Sequence, residues 1–317
     1  MAKEKLNTEP YKGVRDFYPE DMAIQNYIFD TWKKTAKSFN FVEYSASILE
    51  PAELYRTKSS AEIVNDQMFT FTDRGDREVA LRPEMTPSLA RMVAGQRRSL
   101  KFPLRWFSIP NVFRYERPQR GRKREHWQLN CDLMGIAGIE AEVEILSLAH
   151  AIMKSFGAKD EDFEIRINSR KLLQESYAPI LKDPSKPEEM FRLIDKKEKM
   201  SKEEFETEWE KIFNGPFKET AITDSPKLME ITKALEEKGI KTKFSPEITR
   251  GFDYYTDMVF EVFDTNPENP RSLFGGGRYD NLLEIFGVEP VPTVGFGMGD
   301  VTMRDFLETH GLPTCEK

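Results

Sequence analysis

The most informative segment of the chain runs from Phe113 to Gly135 and reads FRYERPQRGRKREHWQLNCDLMG. It lies across two segments with strand character, Leu104–Tyr115 and His126–Met134, and the loop between them is strongly basic. Six cations occupy eleven positions of that loop: Arg114, Arg117, Arg120, Arg122, Lys123 and Arg124. The planar fork of arginine grips phosphate oxygens in pairs, so the hairpin predicts a polyanion site. A solvated basic loop is the alternative interpretation.

The second strand of this hairpin carries a row of polar side chains. Gln128, Asn130 and Asp132 share one face by the two-residue period of a strand, and the intervening residues share the other face. The residues of that second face are Trp127, Leu129, Cys131 and Leu133. A polar row directly beside a basic loop favours a ligand site over a solvated hairpin.

Composition limits the classes of protein to which the chain can belong. With 317 residues, of which 39% are hydrophobic and 12% aromatic, it can bury a full core and divides into about two parts. No apolar run approaches the roughly 20 residues that span a bilayer, and the N-terminal segment lacks the apolar region of a signal peptide. A net charge of −7 confines any nucleic-acid contact to local basic patches.

The few cysteines and histidines argue against a metal centre. Cys131 and Cys315 lie far apart without a C-x-x-C motif, which predicts a reducing cytoplasm and no structural zinc. The three histidines are scattered along the chain. We therefore expect no metal ion held by side chains alone.

The middle of the chain differs in composition from its ends. Between Lys182 and Lys211, eighteen of thirty residues are charged, and Ser201 with Glu204 forms a capping box ahead of an amphipathic helix. This pattern predicts a helical insertion domain over 171–246. Strands with hairpin-like links precede and follow it, so 1–170 and 247–317 are expected to form one antiparallel sheet flanked by helices. The predicted fold class is α+β.

Two short segments place polar groups at strand ends. Glu84 and Thr86 lie two residues apart and offer a carboxylate and a hydroxyl to an ammonium group; the alternative is that Thr86 caps a helix whose first residue is Pro87. Arg250 precedes a glycine at the entrance to another strand. Tyr254 and Tyr255 are expected to point to opposite faces of that strand, one into the core and one outward.

Two glycine-rich segments follow toward the C-terminus. Gly275–Gly277 allows close approach of the backbone to a ligand, and no Gly-Lys-Ser/Thr follows it, so it is not a P-loop. Gly295, Gly297 and Gly299 share one strand face, and Phe296 and Met298 share the other. The glycine face predicts a floor on which a flat ring such as a purine could lie, because strand glycines without a ligand cost stability.

Taken in order, these motifs resemble the catalytic domain of class II aminoacyl-tRNA synthetases, and within that class the histidyl-tRNA synthetase family. The resemblance extends from Gly13-Val14-Arg15-Asp16 to Gly299. The helix and strand ending at Pro51 are similar to the dimer-forming motif 1, and the basic hairpin is similar to motif 2. The segments at Arg82–Thr86, Arg250–Tyr255 and Gly275–Asp280 resemble signatures of the histidine-specific family.

The resemblance implies a role for each matching side chain. Glu84, Thr86 and Gln128 would hold the α-ammonium group of histidine. Asp132, where the family usually has glutamate, would bracket the imidazole with Tyr255, and Tyr254 and Tyr279 would complete that pocket. Further roles implied for ATP binding fall on Arg114 at the α-phosphate, Arg122 at the γ-phosphate, Glu116 at the adenine edge, and Gly295, Gly297 and Gly299 beneath the nucleotide.

The resemblance also implies a catalytic role, a cofactor and partners. Arg250 would sit between the histidine carboxylate and the α-phosphate and stabilise the pentavalent transition state. ATP is a substrate, Mg²⁺ arrives with it, and the acceptor end of histidine tRNA and a second copy of the chain are the expected partners. No membrane contact is expected.

The sequence departs from the family pattern at two places. Motif 3 normally ends in Gly-x-Glu-Arg, and Thr302 stands at the position of its arginine. Arg304 lies about 200° farther round a helix and cannot replace it. The family's C-terminal anticodon-binding domain has no counterpart within these 317 residues.

Two other functions fit some of the same features. The regulatory subunit of ATP phosphoribosyltransferase resembles this domain, lacks the anticodon domain and senses histidine without catalysis. Arg114, Arg122, Arg250 and Gln128 favour the enzyme instead, because a sensor has no need to clamp ATP. A class II synthetase for another amino acid is disfavoured by the Arg250–Tyr255 segment.

Overall fold

The computed structural model describes residues 6–57, 59–60, 62–179, 187–197, 200–218, 225–269 and 271–315. The α-helices among them are α1 Pro19–Ser38, α2 Ala52–Arg56, α3 Thr86–Gly95, α4 Glu140–Ser155, α5 Arg170–Tyr177, α6 Pro187–Lys196, α7 Lys202–Phe213, α8 Pro226–Glu236 and α9 Asp300–Thr309. The strands are β1 Val42–Glu43, β2 Leu49–Pro51, β3 Phe69–Thr72, β4 Glu78–Leu81, β5 Leu104–Ser108, β6 Asn111–Phe113, β7 Glu125–Met134, β8 Phe163–Ser169, β9 Thr242–Phe244, β10 Met258–Asp264, β11 Ser272–Arg278 and β12 Thr293–Gly299.

One large sheet organises the molecule. Its strand order is β1-β5-β7-β12-β11-β10-β8-β9, and β6 pairs with part of β7. The pairs are antiparallel except β1–β5 and β8–β9 at the two edges. A smaller sheet, β2-β4-β3, stands beside it. The α+β class is confirmed. Within the described ranges, no helix is long and apolar enough to cross a membrane.

The two faces of the large sheet differ as the alternation in β7 predicts. Leu129, Cys131 and Leu133 are fully buried in the main core together with Phe296 and Met298 of β12. Helices α1, α4, α8 and α9 contribute the residues that cover this face, such as Trp32 and Ile145. The opposite face carries the polar row of β7. A second apolar cluster covers that face, and α3 contributes Leu89 and Val93 to it alongside Tyr254, Tyr255 and other residues.

The helical insertion has its own apolar core in the described residues. Leu173 and Tyr177 of α5 pack with residues of α6 and α7, including Trp209, in a cluster separate from the main core. The capping box at Ser201 and Glu204 is formed at the start of α7. Helices α5–α7 thus bury their apolar faces against each other.

Part of the predicted range 171–246 packs elsewhere. Leu228, Ile231 and Leu235 of α8 belong to the main core, and β9 is the edge strand beside β8. The amphipathic face of α8 is directed to the large sheet instead of to α6 and α7. Residues 180–186, 198–199 and 219–224 of the predicted insertion lie outside the described residues. The division into domains therefore stays a prediction, with α8 and β9 packed on the sheet.

The helix after β4 begins one residue earlier than the capping interpretation requires. Thr86 is the first residue of α3, Met85 occupies the N-cap position, and no side chain caps this helix end. The prediction of Thr86 as N-cap is wrong. The hydroxyl of Thr86 is instead available to the pocket described below.

We predict that Trp209→Ala destabilises the insertion without loosening the main core. Trp209 is 2% exposed, and removing so large a buried side chain costs about 3–5 kcal/mol. Hydrogen exchange should show faster exchange in α6 and α7, while amides of β7 and β12 keep their protection. Trp32→Ala, in the main core, is the control and should accelerate exchange throughout the sheet. Equal loss of protection in both regions after Trp209→Ala would show that the insertion has no stability of its own.

Candidate active site

A pocket opens on the polar face of the large sheet. Most of the residues singled out from the sequence contribute to its wall. Its lining residues are Glu84, Thr86, Arg114, Gln128, Asn130, Asp132, Arg250, Phe252, Tyr254, Tyr255, Gly275, Tyr279, Gly295, Phe296 and Gly297. Segments far apart in the chain, from the β4–α3 junction to β12, therefore meet at one place.

Glycines of β11 and β12 form the floor of this pocket. The antiparallel register pairs Gly275 with Gly297 and Gly277 with Gly295, so all four glycines share one face. A Cβ atom on Gly275 would lie 2.9 Å from Nη1 of Arg250. The absence of side chains here creates the space that the pocket needs.

The same glycines make room for functional side chains of neighbouring segments. A Cβ on Gly297 would lie 2.7 Å from Nε2 of Gln128, and one on Gly295 would collide with the carboxylate of Asp132. At these two positions the floor is therefore covered by side chains of β7 and is not the bare surface expected for a purine.

The sheltered end of the pocket is rich in hydrogen-bonding groups around Glu84. This carboxylate is 2% exposed and accepts hydrogen bonds from Ser59 and, at 3.3 Å, from the hydroxyl of Tyr254. Burial raises the pKa of Glu84, while Ser59 and the nearby Arg114 oppose that rise. Glu84 is thus a buried acceptor, suited to a cationic donor.

Asp132 forms a second buried acidic centre. It is 4% exposed and accepts a hydrogen bond from the hydroxyl of Tyr279. Burial raises the pKa of Asp132 to about 7, although the Tyr279 hydrogen bond works in the opposite direction. A carboxyl group that titrates near neutrality can accept or donate a hydrogen bond, which suits an imidazole.

Two arginines bring positive charge to the pocket. Arg114 donates from Nε to the carbonyl of Pro83 at 2.9 Å, which leaves its terminal nitrogens free of any hydrogen bond to the described residues. Arg250 donates from Nη1 to Oε1 of Glu261 at 2.5 Å. Burial alone would lower the pKa of Arg250, but the charge of Glu261 raises it above its usual value. Both side chains are therefore positively charged and held in place by a hydrogen bond.

The expectation that only one of Tyr254 and Tyr255 would face inward is wrong. Both are buried, at 7% and 8% exposure, and both line the pocket. The reason is that β10 begins only at Met258, so residues 250–257 form a turn in which the alternation of a strand does not apply. The rings of Tyr254 and Tyr279 meet edge to face at 5.4 Å.

Three predicted site residues stand outside the pocket wall. Glu116 and Arg122 lie in the basic loop, where Oε2 of Glu116 is 3.7 Å from Nε of Arg122. Gly299 precedes α9 as its N-cap. Arg124 of the same loop is 8% exposed, lies 3.8 Å from the Tyr115 ring centroid and donates to the Tyr11 hydroxyl at 2.9 Å. Arg124 is therefore a structural cation, unlike Arg117, Arg120 and Arg122, which are exposed.

The start of α9 is arranged around Asp300 instead of an arginine. Asp300 accepts hydrogen bonds from Arg15 at 2.7 Å, Gln25 at 2.9 Å and the backbone of Trp127 at 2.9 Å. Thr302 donates to the carbonyl of Leu273 at 2.7 Å. Arg304 donates to the carboxylates of Asp21 at 2.9 Å and Glu308 at 2.8 Å, and it is not among the lining residues of the pocket. That it does not replace the motif 3 arginine stays a prediction.

Sequence reasoning left some lining residues unassigned. Asn130 belongs to the recognised polar row, so the two-residue period was a sufficient signal for it. Phe252 lies beneath the guanidinium of Arg114 at 5.8 Å, a contact that depends on tertiary packing. Phe296 is predicted on the face opposite the glycines, yet it also lines the pocket.

An antiparallel sheet with a basic motif 2 hairpin above a pocket of this composition defines the protein as a class II aminoacyl-tRNA synthetase catalytic domain. A family model described as Histidyl-tRNA synthetase matches residues 13–211 and 199–300. The chain belongs to the histidyl-tRNA synthetase family.

Individual relatives agree with this assignment. The chain is 45% identical over 335 residues to a histidine–tRNA ligase of Leptospira biflexa, an alignment that covers 98% of this chain and 77% of that protein. Its fold is similar to the histidyl-tRNA synthetase of Nostoc sp. PCC 7120, with a TM-score of 0.80 at 22% identity over 98% of this chain and 78% of that one.

A third similar structure comes from Bacillus halodurans and is described as an ATP phosphoribosyltransferase regulatory subunit/histidyl-tRNA synthetase. Its TM-score is 0.75 at 22% identity, over 96% of this chain and 84% of that one. At this identity the likeness concerns the fold alone.

We predict that Asp132→Asn stabilises the unliganded protein at high pH. The folded protein holds the Asp132 proton to about pH 7, against 3.8 for an ordinary aspartate, so stability falls as pH rises between these values and the cost is complete above pH 7. An amide escapes this cost, which amounts to about 4 kcal/mol at most. Urea unfolding at pH 8 should show the gain, and at pH 4 it should nearly vanish.

The matched control for this experiment is Asp16→Asn, which removes an exposed carboxylate. It should leave the free energy of unfolding nearly unchanged at both pH values. An Asp132→Asn variant no more stable than the wild type at pH 8 would mean that Asp132 is not buried as an ionisable group.

Proposed function

We propose that this chain activates histidine with ATP to form histidyl-adenylate and transfers the histidyl group to the 3′ end of histidine tRNA. The single observation that carries the proposal is the convergence, on one glycine floor, of two arginines with a set of buried acceptors. The arginines suit a phosphate, and the acceptors suit a small cationic amino acid. Family membership supplies the reaction to which this arrangement corresponds.

Histidine fits the sheltered end of the pocket. Its α-ammonium group would donate to Glu84, Thr86 and Gln128, whose oxygens approach the same space. Its imidazole would lie between Asp132 and Tyr255, with Tyr254 and Tyr279 closing the aromatic wall. The side chain of Asp132 is one methylene shorter than the usual glutamate, and the hydroxyl of Tyr279 holds it toward the pocket.

ATP would lie toward the basic hairpin. Arg114 is placed to grip the α-phosphate with the terminal nitrogens that no described residue occupies. Arg122 would reach the γ-phosphate, and Glu116 the adenine edge. Gly295, Gly297 and Gly299 would lie beneath the nucleotide, with the side chains of Asp132 and Gln128 covering the first two. Mg²⁺ enters as part of the substrate, bound to ATP oxygens, and neutralises charge there.

The first step joins two anions, the histidine carboxylate and the α-phosphate of ATP. A positive charge between them is therefore required, and Arg250 would supply it. A carboxylate oxygen of histidine attacks the α-phosphorus, an O–P bond forms, the bond to the β-phosphate oxygen breaks, and pyrophosphate leaves. Arg250, already oriented by Glu261, would stabilise the pentavalent transition state between them. In the second step a ribose hydroxyl of the tRNA attacks the activated carbonyl and AMP leaves.

The tRNA would meet the chain through the basic hairpin and the insertion. Arg117, Arg120 and Arg122 remain exposed for phosphate contacts, whereas Arg124 is used within the fold. Each neutralised phosphate adds a little under one unit to the salt dependence of binding. We place the reaction in the cytoplasm, where the two free thiols Cys131 and Cys315 stay reduced.

A histidine sensor without catalytic activity is the second candidate, favoured by the similar fold of the Bacillus halodurans protein. A sensor needs the histidine end of the pocket but has no use for Arg114 and Arg250 on the phosphate side. Histidine-dependent exchange of pyrophosphate into ATP distinguishes the two functions. Its complete absence in the wild-type chain would favour the sensor.

We predict that Arg250→Ala lowers the rate of histidine activation by orders of magnitude and weakens histidine binding only modestly. A charge aimed at the developing pentavalent phosphate stabilises the transition state more than the ground state. Pyrophosphate exchange gives the rate, and calorimetry gives the affinity. Arg304→Ala, remote from the pocket, is the control. An Arg250→Ala rate within a few-fold of wild type would contradict the assigned role.

We also infer that the chain forms a homodimer through the surface around β1–β3. This surface contains the strand that resembles motif 1, and it exposes large apolar side chains: Val42 is 62% exposed, Leu49 44% and Phe71 48%. β1 is moreover an edge strand of the large sheet. A two-fold interface would bury this surface against its copy and brace both active sites.

Val42→Asp should accordingly convert the dimer into a monomer, because the charge would be buried without a partner. Static light scattering at micromolar concentration measures the mass. Met229→Asp, which alters an exposed apolar residue on α8, is the control and should leave the dimer intact. A wild-type chain that is monomeric and fully active would refute the inference.

A further inference from the structure

Arg170, the first residue of α5, lies behind the pocket and is 3% exposed. All three nitrogens of its guanidinium group donate hydrogen bonds to backbone carbonyls of one turn. Nε donates to Thr249 at 2.8 Å, Nη2 to Arg250 at 2.7 Å, and Nη1 to Tyr255 at 3.2 Å. One side chain therefore holds both ends of the turn that carries Arg250.

This turn contains a strained backbone. Arg250 has φ +59°, in the left-handed region that L residues other than glycine seldom adopt. Such conformations persist where surrounding contacts fix them, and they cluster at functional sites. The Arg250 carbonyl, at the strained residue itself, is one of the three acceptors of Arg170.

The strained conformation sets the direction of the Arg250 side chain. It places the guanidinium above Gly275, where a Cβ atom would come within 2.9 Å of Nη1. Glu261 then fixes the tip of the side chain at 2.5 Å. Glu261 thus holds one end of Arg250 and Arg170 holds the backbone at the other end.

The arrangement around Arg170 is energetically demanding. Among the described residues, its hydrogen bonds go to carbonyls only and it forms no ion pair. Its charge lies 4.6 Å from the Phe191 ring centroid. Burial lowers the pKa of Arg170 to about 10, so it remains a buried cation at neutral pH. The nearby charges of Asp253, Glu188 and Asp195 offset part of the cost of this burial. A buried cation whose hydrogen bonds go to carbonyls is typical of a position where precise placement matters.

The end of β8 provides a second fixed point for the same segment. Asn168, fully buried two residues before Arg170, donates to the carbonyls of Pro246 at 3.1 Å and Ile248 at 2.7 Å. Asn168 and Arg170 together bind five carbonyls between positions 246 and 255. The segment is thus shaped by side chains of β8 and α5 and has little regular structure of its own.

We propose that Arg170 is a positioning residue for adenylate formation, which acts by holding the backbone of Arg250 so that its guanidinium is aimed at the reacting phosphate. The inference rests on the proposed function. Without Arg170, Arg250 retains its charge but loses its fixed direction. The loss then falls mainly on the transition state, because Glu84, Thr86, Gln128 and Asp132 would still hold histidine and only Tyr254 and Tyr255 of the proposed histidine contacts belong to this turn.

The test uses Arg170→Lys and Arg170→Gln in histidine-dependent pyrophosphate exchange. Lysine retains the charge but not the three-pronged fork, and glutamine is shorter and removes the charge. We expect kcat to fall about 10- to 100-fold in both variants, with KM for histidine changed less than about threefold. Lys171→Ala, the adjacent exposed cation on α5, is the matched control and should match wild type.

A double-mutant cycle distinguishes a role of Arg170 in positioning Arg250 from a general contribution of Arg170 to the structure. If Arg170 acts through Arg250, then Arg170→Lys added to Arg250→Ala should cause no further loss of kcat. Multiplying losses would overturn the inference. So would variants in which kcat, histidine affinity and melting temperature fall together, because that pattern indicates a merely structural role.

The two hypotheses fail in different ways. A wild-type chain without any histidine-dependent exchange refutes the proposed function. A wild-type chain that exchanges normally, together with Arg170 variants that do so equally well, refutes the role of Arg170 alone.

Discussion

The pocket depends on a patch of the sheet without side chains, formed by Gly275, Gly277, Gly295 and Gly297. Such glycines weaken a sheet, because they lose more entropy on folding and pack nothing on their own face. Here the opposite face compensates, since Phe296 and its neighbours on β12 lie in the main core. The bare patch lets side chains of β7 and of the 250–255 turn lie flat against the backbone. Arg250, Gln128 and Asp132 reach the pocket in this way.

Each charged group in the pocket has its own set of hydrogen-bonding neighbours. Glu84 and Asp132 are both buried, but Ser59 supplies a donor to the first and Tyr279 to the second. Arg250 is paired with Glu261, whereas the terminal nitrogens of Arg114 face the cavity. The site is therefore organised before any substrate arrives, and little reorientation of dipoles is needed during reaction.

Local periodicity accounts for much of what the sequence could predict. The polar row of β7 and the buried alternate residues follow from the two-residue period, and the α+β class follows from the order of the segments. The failures have one cause in common, which is that tertiary contacts override local pattern. Tyr254 and Tyr255 both face inward because Arg170 shapes a turn where a strand was expected. The prediction included α8 in the insertion because of its composition, yet the apolar stripe of α8 packs against the large sheet. The sequence did not indicate the role of Arg170, because the carbonyl oxygens that accept its hydrogen bonds are distant from it in the sequence.

Helix α6 of the insertion touches the same turn that carries Arg250. Asp253 accepts from Arg192 of α6, and Thr249 donates to the carbonyl of Phe191 at 2.9 Å. Two parts of the chain with separate cores thus share one set of contacts at this turn. If a ligand bound to α6 changes the affinity of this turn for its own ligand by some factor, thermodynamic reciprocity requires that the ligand of the turn change the affinity at α6 by the same factor. The contacts of Asp253 and Thr249 with α6 provide a direct physical link for such coupling between the insertion and the pocket.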